Sequence, residues 1–186
     1  MRTKSLIRRL GPGAIALVLL GLGADTPPQT IVAHGLTFQA PAAWKSSKLS
    51  SPFRIAQLKV EPAEGDADPA ELVVTAFAGG AGSVEQNLAR WRSQFRDQDG
   101  NPPKLESKTV PGKNTEVIRV EVAGRYVAPK IPGGSEVLDK PNYRLLGAIV
   151  QTSKTAYFFK MLGPDKTMIA ARPAFDALLP TIQVEK

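Results

Sequence analysis

Residues 156 to 162, AYFFKML, place aromatic rings on both faces of one extended segment. Side chains alternate along a strand, so Phe158 points one way while Tyr157 and Phe159 point the other. A strand with apolar bulk on both faces is central in its sheet and covered on two sides. No other stretch constrains the fold so tightly. The rest of the chain has to supply both the neighbouring strands and two covering layers.

The strands are easily found. YRLLGAIVQT, residues 143 to 152, precedes AYFFKML across a tight Ser153-Lys154 connection, which predicts a hairpin. FRIAQLKV at 53 to 60 and AELVVTAFA at 70 to 78 are rich in β-branched and aromatic residues and flank the acidic loop EPAEGDADP. They read as an antiparallel pair. Thr30 to Ala33 and Leu36 to Ala40 form two short strands, broken at Gly35 and ended by Pro41, and further strands are expected at 104 to 109 and 115 to 123.

Two segments have the period of a helix. Ser83 begins the first, with Gln86 three residues on, the pattern of a capping box. Val84, Leu88, Trp91 and Phe95 share one face of it, with Arg90, Arg92 and Arg96 on the polar side. The second is GPDKTMIAARPAFDALLPTIQV, residues 163 to 184, with Pro173 expected to kink it or to open a second short helix. Residues 128 to 141, APKIPGGSEVLDKP, hold three prolines and two glycines and read as a long loop. Strands, helix, strands, helix, mostly joined by hairpins, make an α+β domain: a mostly antiparallel sheet with helices on both faces, an α/β/α sandwich. It occupies residues 30 to 186 as one domain.

The N-terminus is of another kind. Arg2, Lys4, Arg8 and Arg9 precede the uncharged run from Gly11 to Ala24, the pattern of a cleavable signal peptide over residues 1 to 24. As a helix that run would span about 21 Å, short of the roughly 30 Å hydrocarbon core. The chain is therefore expected to be periplasmic or secreted, with no membrane span after cleavage, and residues 25 to 29 to form a flexible exit segment. Four of the 24 basic residues and none of the 17 acids lie in the signal, so residues 25 to 186 carry +3, not the +7 of the whole chain. The positive residues are scattered, without the basic stripe that follows a phosphate backbone, so nucleic acid is not expected as a partner. The chain has no cysteine, which removes disulfides and thiol chemistry.

Candidate chemistry is sparse. Gly79, Gly80 and Gly82 lead from a strand into the Ser83 cap, a build that suits an anion at a helix N-terminus. Neither the P-loop nor the dinucleotide pattern is met, because Ser83, Val84 and Glu85 follow Gly82. His34, the single histidine, lies in a turn without a nucleophile elbow to serve. Glu64, Asp66 and Asp68 lack the order of a calcium loop and read as solvated. No catalytic residue, metal ligand or cofactor site is assigned, and no cofactor is expected.

GLTFQAPAAWK at 35 to 45, the helix bearing Trp91 and Phe95, AYFFKMLGP and FDALLPTI together resemble the PsbP-like superfamily. That fold is shared by the P-type extrinsic subunit of photosystem II, a Ran-binding nuclear import factor and many exported bacterial proteins. The resemblance covers residues 30 to 182 and implies binding and assembly, not a common reaction. The expected function is a non-catalytic module docking on an envelope or secreted protein. Arg125, Tyr126, Lys130 and Tyr143, in and beside the 128 to 141 segment, are the expected contacts, since arginine and tyrosine are frequent anchors. The alternative is a carrier of a small ligand or anion at Gly80, Gly82 and Ser83.

Overall fold

The computed structural model describes residues 26–131 and 134–185. The expected signal peptide, residues 1 to 24, lies outside the described residues. Among those described, no helix is long and apolar enough to cross a membrane.

The chain opens with the hairpin of β1 (Gln29–Ala33) and β2 (Leu36–Ala40), turned at His34 and Gly35, both at positive φ. After the short β3 (Lys45–Ser46), β4 (Arg54–Val60) and β5 (Ala70–Ala78) form the expected antiparallel pair. Next come α1 (Val84–Arg92), β6 (Phe95–Arg96), β7 (Glu106–Pro111) and β8 (Glu116–Pro129). The long strands β9 (Val137–Gln151) and β10 (Thr155–Pro164) lead into α2 (Asp165–Leu178), a short 3-10 turn and β11 (Gln183–Val184). The main sheet runs β3-β4-β5-β10-β9-β8-β6, with β7 also on β8, and every pair in it is antiparallel. β11 joins β1 and β2 in a second, three-stranded sheet.

β10 lies between β5 and β9, as its two aromatic faces require. Tyr157 and Phe159 belong to a buried cluster with Phe38, Leu72, Met168 and Phe175, whereas Phe158 belongs to another with Trp91, Phe95, Val120 and Leu145. α2 thus contributes to the first cluster and α1 to the second. The Ser83 capping box is present: Gln86 N donates to Ser83 Oγ at 3.2 Å and Ser83 N to Gln86 Oε1 at 3.0 Å.

Three expectations need correction. Residues 128 to 141 are not a long loop, since Val127, Ala128 and Pro129 pair with Asp139, Leu138 and Val137. The prolines are tolerated by position: Pro129 ends β8, and Pro141 sits with Asn142, at φ 53°, in a bulge opposite Arg125, where no ladder bond is lost. Phe95 is not on the helix face, because α1 ends at Arg92 and Phe95 is buried from β6. Pro173 does not divide the second helix, which runs unbroken from Asp165 to Leu178. The amide that proline lacks would have served Ile169, an exposed residue where water reaches the carbonyl.

The acidic loop also does more than meet solvent. Pro164 caps α2 without a side chain, and Asp66 takes over: its Oδ2 accepts from Thr167 N at 2.8 Å and from Thr167 Oγ1 at 2.6 Å.

Candidate functional site

The alternation of β10 continues past Phe158, so Lys160 and Leu162 point to the same face. Lys160 is therefore a cation on an apolar face of a central strand. Its ammonium donates to Gln94 Oε1 at 2.8 Å and to the Tyr126 hydroxyl at 3.3 Å, and lies 5.3 Å from the Tyr126 ring centroid. An ammonium has three donors, and those two bonds use two. Among the described residues no carboxylate lies within ion-pair distance of it. Burial, followed by the fields of Arg90 and Arg54, pushes the Lys160 ammonium down to about 8.

Lys160 lines an open cavity of about 410 Å³ that is bounded on three sides. The floor is β4, β5 and β10, with Arg54, Glu71, Thr75 and Phe158; α1 and the residues after it bring Arg90, Trp91 and Gln94. The third wall is the β8–β9 hairpin, with Tyr126, Pro129, Lys130 and Leu138. Four cations and one acid line this space. The acid, Glu71, is engaged by Gln57 at 2.6 Å and Arg54 at 3.6 Å. Arg90 donates to Asn87 Oδ1 at 2.7 Å, not to an acid.

The opposite face of the sheet carries more charge, and it is paired. Arg119 and Glu121 on β8 and Arg144 on β9 meet Asp165, Arg172 and Asp176 of α2: three arginines against three carboxylates. Arg119 binds Glu121 at 2.7 Å and Asp176 at 2.9 Å, Arg144 binds Asp165 at 2.8 Å and also Glu121, and Arg172 reaches Glu121 at 2.6 Å. Burial opposes ionisation of Glu121, but the three guanidinium groups outweigh it and hold the carboxyl below its ordinary value. This cluster ties α2 to the sheet.

The residues singled out in the sequence divide between these surroundings. Tyr126 is buried, edge-on to Phe95 at 5.2 Å and stacked with Tyr143 at 6.4 Å. The Tyr143 hydroxyl donates to Asp68 at 2.8 Å, and burial and that carboxylate raise it well above the ordinary tyrosine value. Lys130 is exposed at the hairpin tip, 2.8 Å from Glu136, and Arg125 is exposed and paired in two places with Asp139. Tyr126 and Lys130 thus meet in the cavity, whereas Arg125 and Tyr143 do not line it.

The glycine loop stands apart. Gly79, Gly80 and Gly82 have positive φ, as a sharp strand-to-helix turn requires. Three of its amides are engaged: Gly79 N bonds Lys154 O, Gly80 N bonds Phe77 O, and Ser83 N bonds Gln86. Of the helix arginines, Arg92 holds the carbonyls of Pro102 and Pro103, and only Arg90 faces the cavity. Sequence reasoning missed Lys160. The available signal was a lysine two residues from Phe158 and two from Leu162, on a face that should be apolar throughout.

The antiparallel sheet with its two helices defines an α+β protein of PsbP-like fold. The chain is similar to the cyanobacterial PsbP protein CyanoP from Synechocystis sp. PCC 6803, with a TM-score of 0.52 and 14% identity over 95% of this chain and 99% of that one. It is also similar to PA94, a protein of unknown function from Pseudomonas aeruginosa, with a TM-score of 0.44 and 15% identity over 87% of this chain and 99% of that one. The first likeness is one of fold, and the second is too distant to equate the two folds. No protein-family model matches the sequence, and no curated protein does.

Proposed function

We propose that the protein is an exported binding module with no reaction of its own, which docks on a protein of the cell envelope through the β8–β9 hairpin tip. In this reading the main sheet is layered between α1 and α2, and the basic, then apolar N-terminus directs export. The observation that supports docking is the rim of the cavity. Ile131 and Val137 at the hairpin tip are 64% and 52% exposed, and Phe53, 58% exposed, stacks on the cavity residue Phe77 at 5.5 Å. Apolar side chains left in water around a charged hollow favour an interaction surface.

A photo-crosslinking residue placed at Ile131, at Phe53 or at Lys113 tests this in the producing cell. Lys113 lies at the other end of β8, near Ile182. Docking predicts one envelope protein captured from positions 131 and 53 and not from 113. Equal labelling at all three, or at none, overturns it. Export predicts a mature chain starting near Asp25 outside the cytoplasm, and a full-length cytoplasmic chain overturns that part.

A further inference from the structure

We propose that the cavity beneath this rim is a small-molecule site for an organic monocarboxylate with an apolar body, seated with its carboxylate on Lys160. This stands independently of the docking reading, because it rests on Lys160 and the cavity around it and not on the exposed Ile131 and Val137 of the tip.

A cation drawn partly out of water without a counter-charge is costly, yet half-buried Lys160 sits among Phe158, Trp91 and Leu162, and among the described residues no carboxylate lies within ion-pair distance of it. The groups that face it from the packed elements do not supply one. α1 and its end bring Gln94 and Arg90, β4 brings Arg54, and the β8 wall brings Tyr126 and Lys130. Glu71 of β5 is held by Arg54 and Gln57. A ligand carboxylate supplies the missing counter-charge and takes the third ammonium donor.

The class follows from the rest of the cavity. Its volume falls within the range of small-ligand sites, roughly 300 to 1,000 Å³. Trp91, Phe158, Leu138 and Leu162 give it apolar walls for a hydrocarbon or aromatic body. Burial raises the Tyr126 hydroxyl above its ordinary value, so it stays protonated and can donate to the same carboxylate. A dianion such as phosphate suits the site less well, since Glu71 lines the same space and the donors of Arg54 and Arg90 are partly committed. The depressed ammonium adds a direction. A bound carboxylate favours charged Lys160 and raises its pKa, so affinity is full below the free value of about 8 and falls as the pH climbs above it.

The probe is 3-phenylpropanoate added to the full chain, compared with its neutral amide and with inorganic phosphate, by calorimetric titration. The acid is expected to bind with a dissociation constant of about 1 mM or tighter, the amide and phosphate at least about tenfold more weakly. The preference should shrink between pH about 7 and pH about 10 as the ammonium deprotonates. Lys160→Met should lose it while still unfolding cooperatively, and Lys160→Arg should keep it. Equal binding of acid and amide, equal binding of phosphate, an undiminished preference in Lys160→Met, or no binding of the acid up to about 10 mM overturns the proposal. So does a Lys160 that only the crosslinked partner shields from acetylation, which assigns the cation to docking. Failure of docking itself is read from the crosslinks, so the two readings fail separately.

Discussion

The two faces of the main sheet treat charge in opposite ways. On the α2 face three arginines meet three carboxylates at bonding distance, with Glu121 only 9% exposed at their centre. On the α1 face Arg54, Arg90, Lys130 and Lys160 gather around one cavity with Glu71 as the only lining acid. A set of charges balanced one for one holds two elements together and, although Arg172 Nε is left without a partner, carries no net charge to attract a ligand. An unbalanced set costs stability and leaves attraction for something outside the fold. Stability and binding should therefore respond oppositely to mutation on the two faces.

The largest effect is expected at the centre of the balanced set. Glu121→Gln strands the guanidinium of Arg172, which among the described residues has no other acid within ion-pair distance, and weakens the hold on Arg119 and Arg144. Removing one partner of a buried ion pair costs about 3 kcal/mol or more, measured by urea unfolding at neutral pH. The Glu121 carboxyl titrates below its unfolded value, so its contribution is present above about 4.5 and is lost as the pH falls through the folded value. The gap between wild type and Glu121→Gln should close in acid. A gap that persists there means that packing, not charge, holds this face.

Next in size is Gly147→Ala, on the other face. A Cβ at Gly147 would lie 2.4 Å from Trp91 Cζ3, well inside contact distance of the indole that walls the cavity. Overpacking of this kind costs about 1 to 3 kcal/mol and should shift α1 off β9. Differential scanning calorimetry checks the loss, and quenching of Trp91 fluorescence checks the displacement.

Lys160→Met should act with the opposite sign. It replaces a half-buried cation by an apolar side chain of similar length, at the expense of the bonds to Gln94 and Tyr126, and should stabilise the protein by about 1 kcal/mol. Folding lowers the Lys160 value to about 8, so between that pH and about 10 the unfolded chain holds more protons and wild-type stability rises with pH. The variant should lack that rise. Above about 10, Tyr126 and Tyr143, both raised by folding, pull stability down in either protein. A variant less stable than wild type at neutral pH breaks the comparison between the faces.

The sequence was legible where one local rule decided the outcome. The Ser83-Gln86 box fixed the start of α1, and the alternation of Tyr157, Phe158 and Phe159 placed β10 at the centre. It was less legible where a partner strand changed the meaning of a residue. Pro129 and Pro141 signal a loop when read alone, yet one ends a strand and the other sits in a bulge. The site was hidden for a related reason. Lys160 breaks the apolar alternation of β10, but it marks a site only when Arg54, Arg90 with Gln94, and Tyr126, from three separate parts of the chain, converge on it, and no spacing announces that convergence. Asp66 was equally opaque, because the helix it caps begins 99 residues later in the chain, at Asp165.

The smallest expected effect sharpens the comparison within a single strand. Arg119 and Arg125 lie on the same face of β8, each bonded to a carboxylate through two nitrogens. α2 covers the first, whose side chain is 8% exposed, and leaves the second 59% exposed. Asp139 lifts the Arg125 value and is itself lowered in return, but in full contact with water such a pair adds little to stability. Arg125→Ala should therefore leave the melting temperature unchanged, whereas Arg119→Ala should lower it clearly. If the hairpin docks on a partner, Arg125→Ala should instead reduce crosslinking from position 131, because a solvent-facing arginine on the same hairpin is available to a partner. An Arg125→Ala chain that melts earlier would show that water, not the partner, was the wrong reference for this pair.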